Sequence, residues 1–128
     1  MPRQALGVMT ESMFYTILAF QNGPRCGTEI AEFVEGLTNG RVQLGPGTLY
    51  TILSKFLEVG YLREVSVEGR KRTYEMTSDG RKAFEHEITR MQLCLKDAQT
   101  AAAFAAQEGD DPNERKKPFL VPSPLPAL

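Results

Sequence analysis

Large apolar residues fall at 49, 52, 53, 56 and 57, the i, i+3, i+4, i+7, i+8 spacing of a helix that buries one broad stripe. Pro46 and Gly47 punctuate its start and Gly60 stands where a left-handed residue would end it, so the stretch 44–60 is predicted to be a helix with its start and stop signals attached. Upstream, Met13, Phe14, Ile17, Leu18 and Phe20 define a first helix that begins at Thr10, a suitable N-cap, and runs to about 22, where Gly23-Pro24 stops it. Its apolar band, widened by Tyr15, covers nearly half the circumference. Such a band has two readings: a helix with two neighbours, the domain core and a second subunit, or one that is merely central. Ile30, Phe33, Val34 and Leu37 mark a second helix over 27–37, with Glu29, Glu32 and Glu35 on a solvated side, and Thr38-Asn39-Gly40 turns the chain toward the third helix. Residues 1–9 carry no pattern and read as a loose arm.

After Gly60 the period changes. Residues 61–67 and 72–76 are short runs rich in β-branched and aromatic side chains on either side of Glu68-Gly69-Arg70-Lys71, which predicts a hairpin. In the second strand Arg72, Tyr74 and Met76 share one face and Lys71, Thr73 and Glu75 the other. Leu62 and Val65 are out of phase, so the first strand should carry a bulge. From 77 a long helix is predicted to about 107. Phe84, Ile88, Met91, Leu95, Ala98, Ala102 and Ala105 are spaced 4, 3, 4, 3, 4, 3 along it, a heptad seam. Nothing downstream could cover this seam, which predicts pairing with a second copy, joined by Met13 and Ile17 of the first helix, although part of the seam must also pack on that first helix. Residues 109–128 hold five of the eight prolines and no periodicity, and read as a disordered tail. The fold class is mainly α with a small β-hairpin: a winged helix-turn-helix over 1–76, a C-terminal dimerisation helix over 77–108, then the tail.

Charge sharpens the picture. The 128-residue chain has a formal net charge of −1, so it is no polycation. Between 41 and 74, however, Arg41, Lys55, Arg63, Arg70, Lys71 and Arg72 stand against Glu58, Glu64 and Glu68. A near-neutral protein with one basic segment suits site-selective binding to DNA. On the outward face of the third helix lie Gly47, Tyr50, Thr51, Ser54 and Lys55, small or hydroxyl-bearing residues with one long cation. Tyr50, at its flank, is placed to reach a phosphate. Thr51, Ser54 and Lys55 are placed to reach base edges, and Arg70, Lys71 and Arg72 form the tip of a wing that follows the backbone or minor groove.

Enzyme readings fail on inventory. His86 is the single histidine, with no second His or Cys spaced to form a metal site or a base pair with it. Gly45-Pro46-Gly47 is not followed by the Lys-Ser/Thr of a phosphate loop. Cys26 and Cys94 lack metal-ligand spacing and read as two thiols. No apolar run approaches the roughly 18 residues of a membrane span and nothing resembles a signal peptide, so a cytoplasmic protein without metal or cofactor is expected.

Pro46-Gly47-Thr48-Leu49-Tyr50, Gly27-Thr28-Glu29-Ile30, and Arg72-Thr73-Tyr74-Glu75-Met76-Thr77 with Gly80 together resemble the motifs of the PadR family of winged-helix transcriptional regulators, in particular its short-tailed kind. The likeness covers roughly residues 10–105. Thr28 and Thr73 stand where that family usually has Tyr, Cys26 where His is frequent, and Thr51 where Pro is common. The resemblance implies a homodimeric repressor whose third helices and wings bind a palindromic operator, with Thr28, Gly47, Thr48 and Tyr74 joining the DNA contacts named above. Some relatives respond to aromatic or amphipathic small molecules at or near the dimer interface, so such an effector is a further implied partner, although this chain lacks the Trp some of them use to stack a flat ligand. The competing reading is a winged-helix protein-interaction module that dimerises without binding DNA; it predicts mixed or acidic surfaces on the third helix and wing, where this sequence clusters basic residues.

Overall fold

The computed structural model describes residues 7–108, which run α1 (Glu11–Leu18), β1 (Arg25–Cys26), α2 (Gly27–Leu37), α3 (Pro46–Val59), β2 (Leu62–Glu68), β3 (Lys71–Met76) and α4 (Ser78–Glu108). The proposed tail, 109–128, lies outside the described residues. Among the described residues two compact units are present, one up to residue 87 and one from residue 88 onward. The first is the winged helix together with residues 78–87 of α4, so the division falls later than the 76/77 boundary expected from the sequence. The reason is packing: Phe84 is 2 % exposed and its ring stacks on Phe14 with centroids 5.6 Å apart.

Thr10 caps α1 as expected, its hydroxyl oxygen accepting the Met13 N–H at 3.1 Å. Thr10→Ala removes that acceptor at a cost of about 1 kcal/mol, which should lower the urea midpoint by roughly 0.5–1 M; an unchanged midpoint would show that water caps the helix equally well. The helix stops at Leu18 rather than near 22. Beyond it the Phe20 and Gln21 N–H groups donate to Ile17 and Leu18, a tightening to i→i+3 bonds that turns Ala19 and Phe20 into the core. Arg25 then pins this turn, its Nε donating to the Ala19 carbonyl at 2.6 Å and its guanidinium lying 4.4 Å from the centroid of the Phe33 ring. The loose arm expected over 1–9 is fastened at its end, because Met9 is buried and its N–H points to the Glu87 carboxylate at 3.4 Å.

The turn between α2 and α3 is set by Thr38, whose hydroxyl donates to the Val34 carbonyl at 2.8 Å and accepts the Val42 N–H at 3.0 Å. Asn39 and Gly40 follow at φ +52° and +79°, conformations that only Gly and Asn adopt cheaply. Pro46 occupies the first turn of α3, and Gly60 at φ +83° closes it. Phe20, Ile17, Ile30, Val34, Leu53 and Phe56 are the most deeply buried large side chains, each apolar one contributing about 1.5–3 kcal/mol by leaving water. Ile17, expected at a dimer interface, therefore has no surface to offer a partner, and Phe84, expected there too, is committed to the same core. Both residues satisfy the apolar periodicity, which does not say which neighbour covers them.

The sheet is antiparallel in the order β1-β3-β2. The loop between β2 and β3 is two residues, Gly69-Arg70, because Glu68 pairs with Lys71; Gly69 takes φ +62°, as the first position of a tight hairpin turn demands. The expected bulge is present, with the register shifting between Glu64 and Ser66 so that Val65 is unpaired. The two-residue β1, in which Arg25 pairs with Tyr74 and Cys26 with Thr73, has no counterpart among the elements expected from the sequence.

Candidate nucleic-acid interface

α3 separates its faces cleanly. Leu49, Ile52, Leu53 and Phe56 are buried, while Gly47, Thr48, Tyr50, Thr51, Ser54 and Lys55 are all exposed, with Tyr50 at 58 %. This is the division the apolar spacing predicted. Two of the outward side chains have local partners: the Thr51 hydroxyl donates to the Gly47 carbonyl at 2.9 Å, and Lys55 Nζ lies 3.7 Å from Glu58.

Beside this face a cleft of about 650 Å³ opens between three elements. The start of α2 supplies Cys26, Gly27, Thr28 and Glu29, α3 supplies Tyr50, and the wing supplies Arg70, Lys71, Arg72 and Tyr74. β1 makes this possible: by pairing with β3 it holds the first turn of α2 next to the base of the wing. A side-chain atom added at Gly27 would touch the Tyr50 hydroxyl at 3.6 Å, so the phenol lies against the α2 N-terminus. That end of the helix carries unpaired N–H groups and a partial positive charge. Thr28 is exposed at the cleft, with its hydroxyl 3.3 Å from the buried Cys26 sulfur. Tyr74 is only 5 % exposed and forms a wall of the cleft rather than a projecting contact. Burial, then the nearby Glu64 carboxylate, raises its pKa, so its hydroxyl keeps its proton.

Glu29 is the acidic member of the cleft. The Cys26 N–H donates to its carboxylate at 2.9 Å, and this bond, followed by the Cys26 side chain and the Lys71 and Arg25 charges, holds its pKa below the ordinary value. A carboxyl depressed in this way stabilises the fold above its unfolded pKa and loses that contribution as pH falls through the folded one. The start of α2 is thus secure at neutral pH and loosens on acidification. The Cys26-to-Glu29 spacing is that of a capping box, the one sequence signal that could have announced this corner of the site.

The charge count of the sequence changes meaning in three dimensions. Arg41 donates to Glu11 at 3.0 Å and to the Tyr15 hydroxyl at 2.7 Å, Arg63 pairs with Glu75, and Arg72 lies 3.4 Å from Glu64. With Lys55 beside Glu58, four of the six basic residues of this segment have carboxylate neighbours. Among the described residues Arg70 and Lys71 make no ion pair within 4 Å, so the uncompensated positive charge gathers at the wing tip. All these pairs are exposed and individually weak; their effect is on where the field points.

Among the described residues no group of His, Cys, Asp or Glu could hold a metal ion, and no helix is long and apolar enough to cross a membrane. On α4, Ile88, Met91, Ala98 and Ala102 are partly covered, while Leu95 is 47 % exposed. Met13 is half-buried on α1.

Comparison with curated proteins finds no match. Solved structures do match: a transcriptional regulator from Clostridium thermocellum at 20 % identity and TM-score 0.63, over 73 % of this chain and 97 % of that one; a PadR-like transcription factor from Bacteroides fragilis at 17 % identity and TM-score 0.61, over 70 % and 88 %; and Bacillus subtilis PadR in complex with operator DNA at 13 % identity and TM-score 0.54, over 77 % and 67 %. At these identities the likeness establishes the fold, a winged helix followed by a long helix. The sequence itself goes further. Residues 16–86, more than half of the chain and all of the cleft described above, match the profile of the transcriptional regulator PadR-like family, a family of regulators rather than enzymes, and the chain belongs to it.

Proposed function

We propose that this regulator binds double-stranded DNA at specific sites and acts as a homodimeric repressor on a palindromic operator. The observation that carries the reading is the junction of the exposed polar face of α3 with a cleft whose walls are the α2 N-terminus and the only wing cations left without an ion pair among the described residues. In this reading α3 enters the major groove. Thr28, Tyr50 and the α2 N-terminus meet one phosphate strand, and Arg70, Lys71 and Arg72 follow the backbone beside it. The heptad positions Ile88, Met91, Leu95, Ala98 and Ala102 join two copies, so that two recognition helices face two half-sites. The solved operator complex of Bacillus subtilis PadR supports a DNA partner for this fold.

A salt titration separates positioning from reading. A dimer that neutralises about six phosphates should lose affinity with a log–log slope of about −5. Arg70→Ala, which changes both wings, flattens that slope by up to about 2 and weakens specific and random duplexes alike. Lys55→Ala instead narrows the gap between them by about 1–3 kcal/mol for each base-edge interaction that the lysine makes. Polarisation measurements with both variants on both duplexes decide the matter. Equal weakening on the two DNAs makes Lys55 a phosphate contact, indifference to both substitutions means that the winged helix does not bind DNA in this way, and absence of binding to either duplex leaves a protein-interaction module.

A further inference from the structure

Thr51 sits at the middle of the exposed face of α3, and its hydroxyl proton is already engaged by the Gly47 carbonyl one turn back at 2.9 Å. That bond fixes the side-chain rotamer. It also leaves Thr51 nothing to donate, so the acceptors of guanine and the O4 of thymine gain nothing from its oxygen. What remains to it is its methyl group and an oxygen that can only accept. Next to it lies a shallow, predominantly apolar depression of about 340 Å³, bordered by Met13 of α1, Ile52, Ser54, Lys55 and Glu58. The two charged residues of that rim lie 3.7 Å from one another, which takes their ends toward each other. An exposed amino group of cytosine or adenine placed here would lose water against an apolar wall, whereas a methyl group would gain by leaving it.

We propose that Thr51, with the depression beside it, reads the 5-methyl group of a thymine in each half-site of the operator. The inference rests on α3 being the element that enters the major groove, and it assigns that helix a chemical preference. Apolar contact of a threonine methyl with the thymine methyl is among the ways a helix distinguishes thymine from every other base.

The test uses the full-length protein and duplexes it selects itself from a random pool. In the strongest selected duplex, each thymine is replaced in turn by deoxyuridine, which deletes the methyl group and nothing else. One position per half-site should then weaken binding about fourfold, the effect of one buried methyl-sized group. Thr51→Ser, which keeps the hydroxyl and removes the methyl, should abolish that ratio. Thr51→Val, which keeps the methyl and removes the hydroxyl, should preserve it, whatever happens to the affinity itself. Circular dichroism confirms that both variants fold. A selected site with no uracil-sensitive position overturns the inference while leaving DNA binding intact, as does a ratio that survives in the Ser variant or vanishes in both. If selection enriches no sequence, the DNA reading fails and this inference with it.

Discussion

Gly80→Ala lowers the melting temperature by roughly 4–24 °C. A Cβ at this position collides with the carbonyl oxygen of Tyr61 and also crowds the Met76 side chain at 3.0 Å. The first obstacle is backbone and cannot rotate aside. The carbonyl is itself held, because it accepts the Thr77 N–H at 3.0 Å, so relief requires the start of α4 to lift from the end of α3. Overpacking of this kind costs about 1–3 kcal/mol and occasionally more, and a domain of this size loses about 4–8 °C per kcal/mol. Gly36→Ala is the control: it lies in α2 with nothing within 4 Å of the added carbon, so the better helix propensity of Ala should leave stability equal or raise it by up to about 1 kcal/mol. Calorimetry on the two variants suffices. A Gly80→Ala protein melting within about 2 °C of the parent would mean that α4 starts on a more compliant seat than the structure shows.

Leu95→Asp should convert the proposed dimer to monomers. Leu95 is 47 % exposed within the protomer, so the substitution leaves the core untouched and helical circular dichroism should be preserved. At a paired seam the same aspartate would be buried twice, once from each copy. An uncompensated buried charge costs about 3–5 kcal/mol, enough to shift a dissociation constant by two to four powers of ten. Sedimentation at micromolar concentration should show a single monomeric species, and operator affinity should fall because one half-site is then bound without the other. A dimer that persists would place the subunit contact elsewhere than the α4 seam.

How much of this was legible in the residues depended on whether the signal was local. The bounds of α3 and its two faces follow from Pro46, Gly60 and five apolar positions, and the structure reproduces them. The bulge at Val65 was visible as a break in alternation. The expected α1 was too long because Phe20 continues the apolar pattern after the helical hydrogen bonds have ceased. β1 could not be seen, since two residues show no period and the pairing of Arg25 with Tyr74 spans most of the domain. Ile17 and Phe84 carry a second lesson: periodicity identifies a side chain that must be covered, and only the packing tells whether the cover comes from the same chain. The cleft depended on β1 and so escaped the sequence, although each of its basic and hydroxyl-bearing members was already among the expected contacts and only Cys26, Gly27 and Glu29 were not.

Thr77 has a consequence for how this architecture can vary. Its hydroxyl donates to the Gly60 carbonyl at 2.6 Å and accepts the Gly80 N–H at 3.0 Å, while its N–H holds Tyr61. The chain therefore leaves the helical core at Gly60 and returns to the same spot at Thr77, and everything between is a closed detour whose ends are fastened together. The length of such a detour is independent of the core: cross-strand pairs can be added or removed at Gly69-Arg70 without moving α3 or the first turn of α4. Reach along a duplex and stability of the helices are thus separately adjustable in this chain, and a hairpin two residues longer on each side would extend the wing by about one pleat repeat, ~7 Å, on an unaltered body.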